Sequence, residues 1–577
     1  MKKYLFILIA ICISQLMALN VSAQGNAYPY CTITDASGNV FVTGKFNCSS
    51  ITFGTTTLTN NGPPETLTSF GTFDMYIVKY DKDGNVKWAK SAGGTNDDIG
   101  FSIVTDGSGN VYVTGSFGSS TITFGTIVLT NAASGTNDGF IVKYDPAGNV
   151  VWAQRAGGIL YDNFSKLVTD GSGNVYATGS FASSSITLGT ITLINPSPGS
   201  GIPFFVKYDP SGNALWAWVW PVGVYSRDIA LDGSGNLYYM GTFTTSTITF
   251  GTTTLTNSGS AGSSDIFIVK YGIEGNVLWA KSAGGSANDV GYGIATDGSG
   301  NIYVTGSFLS SIITFGGIGL TISKSGTEDM FIVKYDPSGT ALWARKAGGT
   351  SVNRGYDITT DGSGNAYVTG TFVNYPIIFG TKTLPNGGAY DMFIVKYDAS
   401  GNVPWAKSAG GIYNEMGLGI ATDVSGNVFV TGYFTSPKIT FGTITLTNTN
   451  GTNPSGYQDM FITKYDLNGN VPWAKNAGGG KSGKPKSADA GINNPPANEI
   501  TIYPNPTSGK VTLSTSNSQS AITSISVFNI TGKEVFSRQF SVGSQQIDVD
   551  LSSQSKGLYI VLIKAGDNYY RRKIIVE

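Results

Sequence analysis

The chain has 577 residues, 40% of them hydrophobic and 12% aromatic, with 78 glycines, 13% charged residues and a formal net charge of −1. So neutral a chain offers no electrostatic case for nucleic acid, and its aromatic content argues against disorder: the glycines punctuate many short strands. Histidine is absent, which removes His-based triads, His-ligated metals and the commonest general base together.

Residues 1–23 have the order of a signal peptide. Lys2 and Lys3 precede an apolar run from Tyr4 to Leu19, and Val21-Ser22-Ala23 offers small residues before Gln24. The run is shorter than a membrane span and Gln15 interrupts it, while Ile11 is too bulky for lipoprotein cleavage at Cys12. No other segment is apolar enough to cross a bilayer, so the expectation is an exported protein with no transmembrane anchor after cleavage. Cys31 and Cys48 then remain, and could pair in an oxidising compartment. If Cys31 lies on a strand and Cys48 beyond the end of its hairpin partner, they are not cross-strand neighbours. Two cysteines build neither a disulfide scaffold nor a structural zinc site.

Residues 24–479 are dominated by self-similarity. Asp-x-Ser-Gly-Asn followed by an apolar-aromatic strand begins at Asp35, Asp106, Asp170, Asp232, Asp297, Asp361 and Asp423. Lys-Tyr, a Gly turn and Trp-Ala place tryptophan at 88, 152, 216, 279, 343, 405 and 473, 62 to 68 residues apart. A period this long and regular means an array or a closed ring. Each unit reads as four strands. In the fifth these are 293–296, 301–308, 329–335 and 341–347, with Asp297-Gly298-Ser299-Gly300 and Asp336-Pro337-Ser338-Gly339 as tight turns. Four antiparallel strands repeated radially describe a β-propeller blade, and a ring removes the edges that a linear stack would expose.

The stretch Asp106 to Gly115 carries a resemblance. The units, over roughly residues 26–479, resemble the secreted bacterial β-propeller repeat (SBBP type) and are more distantly similar to NHL propellers. The resemblance implies a seven-bladed β-propeller and is nearly silent about ligand. Between the second and third strands every copy inserts an Ile-Thr-Phe-Gly-like flap, centred on Phe53, Phe124, Leu188, Phe250, Phe315, Phe379 and Phe441. Connectivity puts the tight turns on one face, and the flaps and Ala-Gly-Gly connectors on the other. A blade could be counted from its first strand or from its third, with the N-terminal strands then completing the last blade.

Residues 480–499 read as a flexible linker. In 500–577 short strands at 510–514, 524–530, 546–551, 558–565 and 571–576 suggest a small β-sandwich, expected to be immunoglobulin-like. This tail resembles the sorting domain of the type IX secretion system through Tyr503-Pro504-Asn505-Pro506-Thr507-Ser508-Gly509, Thr531-Gly532-Lys533, Gly557-Leu558-Tyr559-Ile560 and Lys573-Ile574-Ile575-Val576. The resemblance implies passage through the periplasm, recognition of the tail by the secretion machinery at the outer membrane, and release or surface attachment.

Turn chemistry accounts for the repeated aspartates, since each turn offers one carboxylate where a calcium loop needs several. The seven lysines before tyrosine should pack their stems and find an aspartate or carbonyl partner, and the seven tryptophans should fill the core between blades. Broken symmetry is more telling. Eight residues before each turn aspartate stand Ala27, Asp98, Asp162, Val224, Asp289, Asn353 and Glu415, with Asp97 adjacent. Carboxylates around a channel mouth could hold a cation or a polyhydroxy ligand, or be solvated loop residues. The third unit replaces Ala-Gly-Gly with Trp218-Val219-Trp220-Pro221, and these tryptophans could contact a glycan or fill a packing gap. No catalytic constellation, metal site or cofactor motif stands out. The expectation is an all-β surface or secreted binding protein for a glycan, matrix or protein partner. The alternatives are an extracellular polysaccharide hydrolase or lyase, which could work with a carboxylate pair, and an architectural surface component.

Overall fold

A computed structural model describes residues 25–63, 71–220, 223–260, 262–449 and 457–479, and residues 500–576 apart from 504–506, 516–521, 530–533, 545 and 566–567. The expected signal peptide and the linker 480–499 lie outside the described residues. The chain divides into two compact units, 1–482 and 483–577.

In the first repeat β1 (Ala27–Thr34), β2 (Val40–Phe46), β5 (Asp74–Tyr80) and β6 (Val86–Ala92) form one antiparallel sheet in that order. Between them β3 (Ser50–Phe53) and β4 (Thr56–Thr59) make a separate hairpin. The same four-strand order recurs in all seven repeats, giving a seven-bladed propeller. The middle strands are buried along nearly their whole length, because neighbouring blades cover both faces, which is why they read as continuous apolar runs rather than alternating ones. Turn chemistry is as expected: Asp35 Oδ1 accepts from Ser37 N and Asn39 N, its Oδ2 from Asn39 Nδ2, and Gly38 adopts φ 77°.

The first strands are innermost and are tied around the ring by threonines. Thr105 Oγ1 donates to Thr34 O, Thr169 to Thr105 O, Thr296 to Leu231 O, Thr360 to Thr296 O, Thr422 to Thr360 O, and Thr34 to Thr422 O. The blade 3–4 boundary breaks this circle, because Leu231 has no hydroxyl to give. At the outer edge six of the seven tryptophans, all but Trp216, reach the next blade's turn, Trp343 Nε1 donating to Ala399 O at 3.0 Å and Trp473 to Lys82 O at 3.2 Å. The repeated lysines follow: Lys79 Nζ and Trp88 Nε1 share Pro146 O.

The open question of phase resolves in favour of the first strand. Blade 1 holds residues 27–92 and blade 7 residues 415–477, with no strand exchanged between them. The ring closes through Ala27 N to Gln458 O (2.9 Å), Gln458 N to Asn26 Oδ1 (3.0 Å) and a Gly25–Gly479 bridge.

The flaps differ from expectation. They leave from the connector face but fold back along the blade, and in every blade but the sixth the tip meets the start of the fourth strand: a Cβ on Gly54 would lie 3.2 Å from Val86. Ile51, Phe53 and Leu58 are buried in a core shared with Trp473 and Ala477 of the neighbouring blade. The wedge between blades widens with radius, and the hairpin fills it. In blade 6 the hairpin even pairs with the outer strand of blade 5, Ala347 with Phe379, covering an exposed edge.

In the C-terminal unit, Ile500–Tyr503, Lys510–Thr515 and Gln546–Asp550 form one sheet, and Ile522–Asn529, Glu534–Ser544, Gly557–Ala565 and Asn568–Val576 the other. Leu513, Ile525, Val527, Val549, Val561 and Ile563 belong to one core between them. Tyr503, Gly557, Tyr559 and Lys573 lie on these strands and Gly509 just before one, while Pro504, Asn505, Pro506, Gly532 and Lys533 fall outside the described residues.

Candidate binding surface

Asp98, Asp162, Asp289 and Glu415 do begin the first strands on the connector face, but they are buried, at most 1% exposed. Asp98 accepts from Gly94 N (2.8 Å) and Ser119 Oγ (2.6 Å), Asp162 from Gly158 N and Ser183 Oγ, Asp289 from Ser310 Oγ, and Glu415 from Gly411 N and Ser436 N. These are interior groups, not solvated rim residues: they staple the connector and the base of the inserted hairpin to the innermost strand, and the hydrogen bonds are what let a carboxylate be buried. Burial pushes Asp98 up to about 7, with Asp74 of the preceding blade adding to it. Asp74 and Asp289 are pushed up to about 6 for the same reason, and Asp138, Asp162, Asp265, Asp391 and Glu415 move in the same direction.

These acids explain the Ala-Gly-Gly connector. A Cβ on Gly93 would collide with the Asp74 carboxylate, and one on Gly94 would lie 2.8 Å from Ser119 Oγ. At the blade 3–4 boundary both acids are gone, replaced by Ile202 and Val224, and the glycines go with them. Trp218 and Trp220 belong to this apolar boundary. Trp218 stacks on Trp216 (4.5 Å between centroids, 6° between planes) and Trp220 on Tyr239 (5.2 Å, 9°). Both are partly buried against the core of blades 3 and 4. Cys31 and Cys48 are unpaired, and Cys48 packs against Gly479 where four of the other blades use serine, blade 4 Thr245 and blade 6 Asn374.

Asp97 has a different environment from its neighbour. It is exposed, its Oδ1 accepts from Phe73 N at 3.0 Å, and it lines a 440 Å³ groove with Phe73, Asn96, Thr136, Asn137 and Tyr161. Tyr161 is 62% exposed. Phe73 connects this groove to the propeller axis: it packs on Tyr28 (5.9 Å), which meets Tyr433 edge-on (5.4 Å), and Lys45 Nζ lies 4.1 Å above its ring. Burial lowers the Lys45 ammonium while Asp97 opposes this. Further along the axis come Tyr30 against Phe101 and Tyr292 against Tyr356. Beyond these, Lys166 Nζ pairs with Asp228 Oδ1 at 3.4 Å. Asp357, which accepts from Ile358 N and Ile420 N, is pushed up to about 7 by burial, with Lys166 opposing. This axial ion pair was not picked out from the sequence. Its only signal is that one position of the first strand reads Cys31, Ser102, Lys166, Asp228, Gly293, Asp357 and Gly419 in the seven copies.

Among the described residues no three His, Cys, Asp or Glu side chains converge as a metal site, and no helix is long and apolar enough to cross a membrane.

The class is then a seven-bladed propeller of secreted repeats followed by a sorting domain. A family profile described as "Beta-propeller repeat" (SBBP) matches residues 87–116 and 278–307, and one described as "Secretion system C-terminal sorting domain" matches residues 501–577. The protein is exported by the type IX secretion system, whose machinery handles the tail, and it is secreted or held at the outer cell surface. It is 28% identical over 492 residues to an uncharacterized WD repeat-containing protein of Acanthamoeba polyphaga mimivirus, covering 70% of this chain and 35% of that one. Over 205 residues it is 28% identical to the regulatory protein FlaEY of Caulobacter vibrioides, covering 35% and 18%. The chain spans only a minor part of either relative's length. Similar solved structures include the Neurospora crassa Pan2 WD40 domain (9% identity, 70% of this chain and 86% of that one, TM-score 0.36). Streptogramin B lyase is another (12%, 70% and 89%, TM-score 0.33), as is the Synechocystis apocarotenoid oxygenase (10%, 79% and 96%, TM-score 0.35). Propellers serve enzymes and non-enzymes alike.

Proposed function

We propose that this exported propeller is a binding module whose connector face takes a glycan. The carrying observation is the groove of Asp97, Asn96 and Asn137 between Phe73 and the exposed ring of Tyr161. Carboxylate and amide groups accept and donate to adjacent sugar hydroxyls, while aromatic faces pack against the apolar side of a pyranose; a few placed polar groups among aromatics is how small-ligand sites fix orientation. Asp97 remains in this reading. The buried acids support the groove from beneath by holding the connectors in place, and Trp218 and Trp220 shape the blade 3–4 boundary rather than contact ligand. A glycan array probed with the full chain and with Asp97→Ala and Tyr161→Ala variants tests the reading. Selective binding that both variants reduce by ten-fold or more is expected. Binding unaffected by either, or no glycan bound at all, would move the function to a protein partner or an architectural role.

A further inference from the structure

The rim of the propeller carries a second, repeated kind of groove. Between the tip of each inserted hairpin, the third-to-fourth-strand turn and the outer strand of the preceding blade, three successive boundaries open clefts of 360, 430 and 300 Å³. They lie between blades 6 and 7, 7 and 1, and 1 and 2. Each is built from the same parts: a Phe-Gly-Thr hairpin tip, a tyrosine, a Gly-Asn-Val turn and one lysine from the neighbouring blade. The lysines are Lys407, Lys475 and Lys90, the asparagines Asn470, Asn85 and Asn149.

Each part is poised to contact ligand. All three lysines are exposed and none forms an ion pair among the described residues. Asn85 and Asn149 are exposed and line the clefts, and use Nδ2 to hold the turn aspartate. Tyr80 and Tyr144 are 3% exposed, with hydroxyls that make no hydrogen bond among the described residues. The next boundaries differ where it matters. The lysine's place is taken by Gln154 in blade 2 and by Trp218 in blade 3. Blade 4 keeps an exposed lysine, Lys281, but the next blade offers Gly317 at its hairpin tip and Thr340 in its turn where the three clefts have threonine and asparagine. In blade 5 it is taken by Arg345, whose guanidinium is committed to Gly401 O and Ser400 O.

We propose that these three adjacent clefts bind consecutive parts of an anionic polysaccharide, each lysine pairing with a carboxylate or sulfate while asparagine, threonine and tyrosine meet the sugar hydroxyls. A single exposed ion pair of this kind is weak. Three in an arc gain by linkage, because the second and third contacts are intramolecular. The inference is independent of the connector-face groove, which contains none of these residues.

The test is binding of the full chain to polygalacturonate fragments of increasing length, to dextran sulfate and to neutral dextran, by biolayer interferometry. Affinity should rise steeply with length for the anionic polymers, with neutral dextran inert. The triple variant Lys90→Ala/Lys407→Ala/Lys475→Ala should lose ten-fold or more. A control triple of exposed lysines outside the clefts, Lys87→Ala/Lys324→Ala/Lys382→Ala, should bind as the parent. An equal loss in the control, equal binding of neutral dextran, or no binding of either anionic polymer would overturn the proposal. Response to polygalacturonate but not dextran sulfate assigns uronates, and the reverse assigns sulfates.

Discussion

The buried acids make stability a function of pH in a chain unusually suited to showing it. With no histidine present, few side chains other than these carboxyls titrate between pH 5 and 8. Burial pushes Asp98 up to about 7 from an ordinary 3.8, so between those values the folded state holds a proton that the unfolded state has released. Its stabilising contribution is therefore complete below about pH 4 and is lost as pH rises through 7. Taking about 1.4 kcal/mol per unit, acidification from pH 8 to 5 recovers about 3 kcal/mol at Asp98 and about 1 kcal/mol each at Asp74 and Asp289. Asp74 and Asp98 do not titrate independently, so the total is less than the sum. For a propeller of this size about 1 kcal/mol corresponds to about 1 °C, and the melting temperature should rise by roughly 3–5 °C from pH 8 to pH 5. The turn aspartates, such as Asp145 and Asp336, are held below their usual range. Their effect has the opposite sign, and is confined to pH below about 4. Differential scanning calorimetry across pH 3–8 on the parent and on Asp98→Asn, which copies the residue natural to blade 6 at Asn353, reads this directly. The variant should show a shallower rise. A melting temperature flat or falling between pH 8 and 5, or an unchanged slope in an Asp74→Asn/Asp98→Asn double variant, would show that these carboxyls do not carry the pH dependence.

Other expectations concern single residues. Gly93→Ala drives a methyl group into the Asp74 carboxylate and should cost about 1–3 kcal/mol in urea unfolding. Thr360→Val removes one bond of the axial circle, at about 1 kcal/mol; Leu231→Thr, which supplies the missing one, should offset part of its packing loss and cost less than Leu231→Ala. Trp343→Ala opens a cavity between blades 5 and 6 and leaves Ala399 O with only the Lys334 ammonium as donor, and should cost about 3–5 kcal/mol by the same measurement.

The repeat was legible because its signals are local. Asp-x-Ser-Gly-Asn turns and Lys-Tyr-to-Trp spacing depend on residues a few positions apart, and the roles expected of those lysines and tryptophans match their contacts. What was hidden depends on residues brought together only by the ring. Nothing near Gly93 in sequence announces that Asp74 lies beneath its Cα. Asp98 looked like a rim residue because it begins a strand; the serine that buries it is Ser119, on the far side of a hairpin. Asp97, its neighbour, lies in the connector just before the strand and is exposed, its Oδ1 held by Phe73 N. The flap was read correctly as a hairpin, but where it lies is decided by the space between blades rather than by its own chain. The blade 3–4 boundary shows the same limit from the other side. Trp218 and Trp220 stood out at once, whereas Ile202, Val224 and Leu231, which changed with them, carry no signal alone.

Closing the ring without exchanging a strand makes every blade one unbroken stretch of chain. Gly25 and Gly479 meet at a boundary stitched by the same kinds of contact as the others, so the molecule has no privileged starting point. A gene of this kind can be cut between any two blades and rejoined, or lengthened by whole copies, with each duplicated segment arriving as a complete sheet.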